Sequence, residues 1–145
     1  VLATDRSGRL HVLNSALQVV RIVPLIPQHY HGTNDFVQLV LDTVTDLNGD
    51  GQQELVFHSA QVQTRSEPYP GRPQDPTTFR FYHDDQVLVL DSNLKRLASY
   101  MVGDLYKSGT MTAVLPVNLG PQGRRGLLVL GQEAIVLELK RGWGK

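Results

Sequence analysis

The chain has 145 residues, which fits one domain with a moderate core. Basic and acidic residues balance at 14 each, so the formal net charge is zero. Without a basic excess or stripe, nucleic acid is not expected as a main partner, because phosphate binding requires positive charge. No apolar run approaches the length of a membrane span. The absence of cysteine excludes disulfides, thiolate metal sites and cysteine nucleophiles.

The hydrophobic pattern along the chain is that of β-strands. Short runs of leucine and β-branched residues, bounded by Gly, Asn, Asp and Pro, recur at 10–13, 87–90 and 135–139. No long stretch carries the 3.6-residue period of a helix, and the best helix candidate is the short segment 103–107. The sequence therefore predicts an all-β fold.

The strand pattern repeats within the chain. Residues 9–20 align with residues 86–97, and each segment reads as a strand, a tight polar turn and a second strand. Residues 134–140 match the first half of this unit. Residues 44–57 align with 116–129, and both segments end in an apolar strand. Repetition of this kind predicts an array of similar units.

The combined unit is a four-stranded antiparallel blade, and the whole chain, 1–145, is predicted to be one β-propeller-like domain. Residues 1–25 supply the last three strands of one blade, 35–102 a full blade, and 110–140 the first three strands of another. The full blade carries an insertion at 61–84, which is predicted to be an exposed loop because proline disfavours central strands. Its turn-forming residues are Pro68, Pro70, Gly71, Pro73 and Pro76.

The run Asp-Leu-Asn-Gly-Asp-Gly-Gln-Gln-Glu-Leu at 46–55 carries the clearest chemical signal. Ca²⁺ takes six to eight oxygen ligands, and Gly49 and Gly51 allow a short loop to curl around an ion. Oxygens fall at alternate positions, from the side chains of Asp46, Asn48, Asp50 and Glu54 and from the backbone carbonyl of Gln52. The sequence therefore predicts a calcium site in this turn.

Two other readings of this run explain less of it. An EF-hand requires a glutamate at position 12 and flanking helices, but position 12 is Phe57 and the flanks are strand-like. A plain hairpin turn explains Asn-Gly and Asp-Gly but not the further carboxylates of Asp46 and Glu54.

The aligned second copy of the loop has lost its carboxylates. The positions of Asp46, Asn48, Asp50 and Glu54 are occupied by Asn118, Gly120, Gln122 and Gly126. Arg124 and Arg125 add positive charge beside it. One calcium site is therefore predicted, not two.

The pattern Asp-x-Asn-x-Asp-Gly-x-x-Glu-Leu inside four-stranded units resembles the FG-GAP repeats of integrin α-subunit β-propellers and the similar VCBS repeats. The resemblance implies Ca²⁺ held between the first two strands of a blade by Asp46, Asn48, Asp50, Gln52 and Glu54, where Glu54 replaces the usual aspartate. It implies a calcium-stabilised, non-enzymatic structural or protein-interaction module. We expect a protein partner and a secreted, periplasmic or cell-surface location.

The chain supplies about two and a half blades, whereas propellers have about four to eight. An incomplete propeller exposes unpaired strand edges. We therefore expect a fragment of a larger propeller, self-association through blade edges, or closure into a sandwich or barrel. The start at Val1, with neither methionine nor a signal peptide, favours a piece of a longer protein.

An alternative function is a carbohydrate-binding or hydrolytic propeller with its site in loops such as 61–84. The segments 29–31 (His-Tyr-His) and 83–85 (His-Asp-Asp) are weaker candidates for a metal pair and for a base with an orienting acid. Neither a Gly-x-Ser-x-Gly elbow nor a phosphate loop is present. An enzyme is therefore less expected than a binding module.

Overall fold

The structure is a computed structural model. It describes residues 1–69, 71–102, 113–120, 125–131 and 134–139. These residues form ten β-strands and no helix, which confirms the all-β prediction. The helix candidate at 103–107 lies outside the described residues.

The strands form three antiparallel sheets, none of them closed. The first sheet has the order β1 (Leu2–Thr4), β2 (Arg9–Leu13), β3 (Val19–Pro24). The central sheet has the order β4 (Phe36–Thr45), β5 (Glu54–Tyr69), β6 (Arg72–Leu90), β7 (Arg96–Met101). The third sheet has the order β8 (Ala113–Asn118), β9 (Arg125–Leu130), β10 (Ala134–Glu138).

The central sheet is covered on both faces. Along β5, Leu55 and Phe57 pack toward the first sheet, and Val56 packs toward the third. Because successive side chains of a strand point to opposite faces, a strand covered on both sides must be apolar at consecutive positions. The uninterrupted apolar run at 87–90 has the same cause, and all four of its residues are fully buried.

Two separate cores result from this arrangement. The core between the first and central sheets consists of Leu10, Leu25, Ile26, Val37, Leu39, Leu55, Phe57, Leu88 and Leu90. The core between the central and third sheets consists of Leu47, Val56, Val87, Val89, Val114, Leu127, Val129 and Leu139.

The β2–β3 and β6–β7 hairpins use the same turn. Asn14 Oδ1 accepts hydrogen bonds from the backbone amides two and four residues ahead, both at 3.0 Å. Asp91 Oδ1 does the same at 2.9 and 2.8 Å. The third residue after each, Leu17 and Leu94, has a positive φ of 59° and 66°. A short polar side chain that bonds its own turn thus shapes both hairpins.

The structure corrects the predicted loop at 61–84. This segment forms the outer parts of β5 and β6, which pair from Gln61 and His83 outward to Pro68 and Pro76. We call the part of β5 and β6 beyond the last partner of β4, residues 63–69 and 72–81, the β-arm. Among the described residues, only two strands pair there, and a proline whose missing N–H faces away from its partner strand removes no ladder bond. Proline density therefore excludes a central strand but not a two-stranded arm.

The three sheets fall within the three predicted sections of the chain, and the section 35–102 contains the four-stranded one. Part of the section 110–140, namely 110–112, 121–124, 132–133 and 140, lies outside the described residues. The arrangement of the three sheets as propeller blades stays a prediction. In the part of the chain that the structure describes, there is no helix with the length and apolarity that crossing a membrane requires.

Candidate metal site

The loop predicted to bind calcium connects β4 and β5, the first two strands of the central sheet. Gly49 and Gly51 have positive φ angles of 78° and 86°. A Cβ added at either position would meet no atom within 4 Å. Glycine is therefore favoured here by the left-handed backbone and not by lack of space.

The carboxylate of Asp46 closes the loop by accepting hydrogen bonds from two later backbone amides. Its Oδ1 accepts a hydrogen bond from the Gly49 amide at 2.6 Å, and its Oδ2 accepts one from the Gly51 amide at 3.1 Å. Burial alone raises the pKa of Asp46, but these amides and the nearby charge of Arg125 outweigh it and lower the pKa below its ordinary value. Asp46 is therefore ionised at neutral pH.

Asn48, which is half-buried, and Asp50, which is exposed, form the middle of the loop. Asn48 Oδ1 accepts a hydrogen bond from the Asp50 amide at 2.9 Å, and Asn48 Nδ2 donates one to Asp50 Oδ2 at 3.0 Å. Asp50 Oδ1 accepts one from the Gln52 amide at 2.8 Å. The polar side chains at alternate positions thus support the turn through its own backbone.

Glu54 differs from the other acids because it is buried, with 2% of its surface exposed. Its Oε2 accepts a hydrogen bond from the Leu47 amide at 2.7 Å. Burial, together with the negative charges of Asp50 and Asp46, raises the pKa of Glu54 above its ordinary value. Within the described residues, no lysine or arginine forms an ion pair with this carboxylate.

The structure places four of the predicted ligands, Asp46, Asn48, Asp50 and Gln52, in the connection between β4 and β5, and it places Glu54 at the first position of β5. Among the described residues, no three His, Cys, Asp or Glu side chains converge as a metal-binding group. The donor chemistry nevertheless suits a hard cation, since every donor is an oxygen. A carboxylate oxygen that accepts one amide hydrogen keeps a lone pair for an ion.

In the second copy, the position aligned with Glu54 has no room for a side chain. Gly126 occupies the position aligned with Glu54, and a Cβ there would lie 2.7 Å from the Leu137 carbonyl oxygen and 2.8 Å from Leu119 Cδ1. Gln122 and Arg124 lie outside the described residues. Arg125 instead contributes its positive charge to Asp46 in the first loop.

The two histidine segments singled out in the sequence, 29–31 and 83–85, contact each other. Asp84 has a positive φ of 52° at the base of the β-arm, and its Oδ2 lies 3.0 Å from His29 Nδ1. His83 packs its ring against Tyr30, with 5.2 Å between centroids. Residues of both candidate segments, 29–31 and 83–85, therefore lie next to each other.

Sequence reasoning missed a buried pair between the central and third sheets. Asp42 Oδ2 lies 2.8 Å from His58 Nδ1, and both side chains are 5% exposed. Asp42 Oδ1 also accepts a hydrogen bond from the Val114 amide of β8 at 3.0 Å. The register of β4 shifts between Leu41 and Thr43, so Asp42 is a bulge residue. A lone aspartate in an apolar strand was the available signal, but a bulge cannot be read from alternation.

Comparison with known proteins gives this chain no family. No protein-family model matches it, and neither a curated protein nor a solved structure does so. The fold and the loop define its class no further than an all-β protein of stacked antiparallel sheets, with an acidic glycine-containing turn between β4 and β5.

Proposed function

We propose that this chain is a calcium-stabilised, non-enzymatic structural or protein-interaction module of the β-propeller type, like the FG-GAP and VCBS repeats that it resembles. The observation that carries the proposal is the buried carboxylate of Glu54, which shares its loop with Asp46 and Asp50. Burying a negative charge beside two others costs stability. A dication bound in the loop would remove that cost.

The ion would have a structural role. Asp46, Asn48, Asp50, the carbonyl of Gln52 and Glu54 would hold it. Bound Ca²⁺ would neutralise the acidic loop and fix the start of β5, the strand that carries residues of both cores. Calcium would thus stabilise the central sheet and, through it, the packing of all three sheets.

The propeller part of the proposal is supported by the direction in which aligned residues face. Leu10 of the first sheet faces the central sheet, and its aligned counterpart Val87 faces the third. Leu55 of the central sheet faces the first sheet, and its counterpart Leu127 faces the central sheet. Repeated blades packed face to face would show this regularity, and the shared hairpin turn at Asn14 and Asp91 agrees with it.

Exposed apolar residues on the two end sheets further support a larger assembly. Val20 and Ile22 of β3 are 61% and 49% exposed, and Leu115 and Val136 of the third sheet are 43% and 52% exposed. Apolar side chains on a sheet face favour burial against another layer. We propose a protein partner or further sheets here, self-association through blade edges included, in a secreted, periplasmic or cell-surface setting.

The alternative is a carbohydrate-binding or hydrolytic propeller domain with its site in loops such as 61–84. The described residues of that segment continue β5 and β6. No observation within the described residues favours it over the structural module.

The test is thermal unfolding and calorimetric titration with Ca²⁺. At a free Ca²⁺ concentration of about 100 times Kd, the folded chain should gain about 2.7 kcal/mol. Asp50→Ala should abolish the gain because it removes a charged ligand from an exposed position. Asn118→Ala, a change in the second copy of the loop, is the matched control and should leave the gain intact. A melting temperature that is equal in EDTA and in millimolar Ca²⁺ would overturn the proposal.

A further inference from the structure

The acidic loop at 46–55 contacts the third sheet as well as the central sheet that it belongs to. Leu47, the second residue of the loop, is 2% exposed and is part of the core between these two sheets. The same core contains Val114 of β8 and Leu127 of β9. A loop that buries an apolar side chain in this core is held against the third sheet. The loop is therefore a contact between two sheets.

A cavity of about 280 Å³ lies at this contact. The end of β4 and the start of the loop line it with Thr45, Asp46 and Leu47. The third sheet lines it with residues that include Asn118 of β8 and Arg125 of β9. Among the described residues, Asp46 and Arg125 are the charged members of the lining, and both are half-buried. The cavity thus places a positive group of the third sheet beside a negative group of the loop.

The position of Arg125 is fixed by its backbone. It is the first residue of β9 and pairs with Asn118, the last residue of β8. Its carbonyl oxygen accepts a hydrogen bond from the Leu139 amide at 3.2 Å. Among the described residues, no carboxylate forms an ion pair with its guanidinium. Within that part of the chain, the charge of Arg125 therefore acts on Asp46 across the cavity and not through direct contact.

The charge of Arg125 has a consequence for any cation in the loop. Burial acts to raise the pKa of Asp46, but the amides of Gly49 and Gly51 and the charge of Arg125 lower it. A positive charge that favours the ionised carboxylate opposes a further cation at the same carboxylate. Because Ca²⁺ carries two charges, this opposition is twice as strong for Ca²⁺ as for a proton at the same distance.

We propose that Arg125 sets the calcium affinity of the loop from the neighbouring sheet, by compensating the Asp46 carboxylate when the ion is absent and opposing the ion when it binds. The inference rests on the proposed calcium binding and adds a regulating residue to that site. The affinity of calcium sites depends on the charge of their ligands, and Arg125 offsets part of the negative charge here. By linkage, Ca²⁺ weakens the attraction between Asp46 and Arg125 by the same factor by which Arg125 weakens Ca²⁺ binding.

The test is a series of charges at position 125, measured by calorimetric titration of the full chain with Ca²⁺. Arg125→Lys keeps the charge and should bind Ca²⁺ like the parent. Arg125→Gln removes the charge and should bind about three- to tenfold more tightly, and Arg125→Glu should bind more tightly still. The difference between Arg125→Gln and the parent should shrink between about 50 mM and about 500 mM salt, because ions screen charges that are not in contact. A purely structural role of the side chain would not produce this order or this salt dependence.

Thermal unfolding by circular dichroism supplies a second readout and a control. In EDTA, Arg125→Gln should melt below the parent and Arg125→Lys by no more than about 3 °C, and this deficit should narrow in millimolar Ca²⁺. Arg80→Gln is the matched control, because it removes the same charge from an exposed position of the β-arm. Arg80 pairs with Thr64, which lies on β5 about 30 Å from the loop, several screening lengths away. Arg80→Gln should therefore bind Ca²⁺ like the parent.

The outcomes separate this inference from the calcium proposal. If Ca²⁺ stabilises the parent but binds Arg125→Gln and Arg125→Lys with equal affinity, the inference is wrong and the calcium site stands. If Arg80→Gln tightens binding as much as Arg125→Gln does, the effect belongs to net charge and the inference is again wrong. If the parent melts at the same temperature in EDTA and in millimolar Ca²⁺, the calcium proposal itself fails, and the inference fails with it.

Discussion

Replacement of Glu54 by glutamine should separate the cost of its buried charge from the benefit of its hydrogen bond. A glutamine oxygen can still accept the bond from the Leu47 amide. Without calcium, the raised pKa of Glu54 means that the folded chain binds this proton more tightly than the unfolded chain. The contribution of Glu54 to calcium-free stability should therefore be greatest below its ordinary pKa of 4.5 and fall as the pH rises through the interval up to the raised pKa. Glu54→Gln should remove this fall.

Calcium should stabilise the parent much more than it stabilises Glu54→Gln. At about 100 times Kd, the parent should gain about 2.7 kcal/mol, because Ca²⁺ would bind the folded state alone. A gain of that size corresponds to roughly 5–10 °C in the melting temperature of a chain of this length. Glu54→Gln should lose most of the gain, since the site would keep two of its three negative charges.

The measurement is thermal unfolding by circular dichroism from pH 4 to pH 8, in EDTA and in Ca²⁺. Glu54→Ala is the matched control, because it leaves the Leu47 amide without its acceptor and should cost about 1–3 kcal/mol already in EDTA. The reasoning is refuted if Glu54→Gln keeps the pH-dependent fall of the parent, or if it keeps the full calcium gain.

Three further predictions concern other parts of the chain. Gly126→Glu should not create a second calcium site, and overpacking should destabilise the chain by about 1–3 kcal/mol in chemical denaturation; normal stability with a second equivalent of bound Ca²⁺ would contradict this. The pKa of Asp5 is lowered to about 2, because its bonds to His11 and Arg9 outweigh the opposing effect of burial. The contribution of Asp5 to stability should thus be present above its ordinary pKa of 3.8 and lost as the pH falls to about 2. Asp5→Asn should cost about 1 kcal/mol at pH 7, allowing for the partial exposure of the side chain. If stability falls below pH 4 with the same slope in Asp5→Asn as in the parent, the assignment is wrong. Asp42→Ala should lower the free energy of unfolding by about 2–4 kcal/mol in urea denaturation, because it leaves His58 and the Val114 amide of β8 without their partner. A loss below about 0.5 kcal/mol would show that the pair does not join the sheets.

The sequence predicted which residues form the candidate loop better than it predicted the geometry of that loop. The spacing of acids and the two glycines follows from local turn chemistry, which residues near in sequence determine. The burial of Glu54 depends on its position at the start of β5, between two other sheets, and spacing carries no information about that. The pair of Asp42 and His58 was missed for a similar reason, because a bulge turns Asp42 toward β8.

The sequence by itself determined that this protein is all-β, because alternation and turn residues act over a few neighbouring positions. It also determined the hairpin turns at Asn14 and Asp91, whose side chains bond their own backbone. The tertiary structure decided that 61–84 extends a hairpin, since proline tolerance depends on whether a strand has a neighbour. It also decided that β5 is covered on both faces. Such features depend on which sheets meet, and contacts between residues distant in sequence decide that.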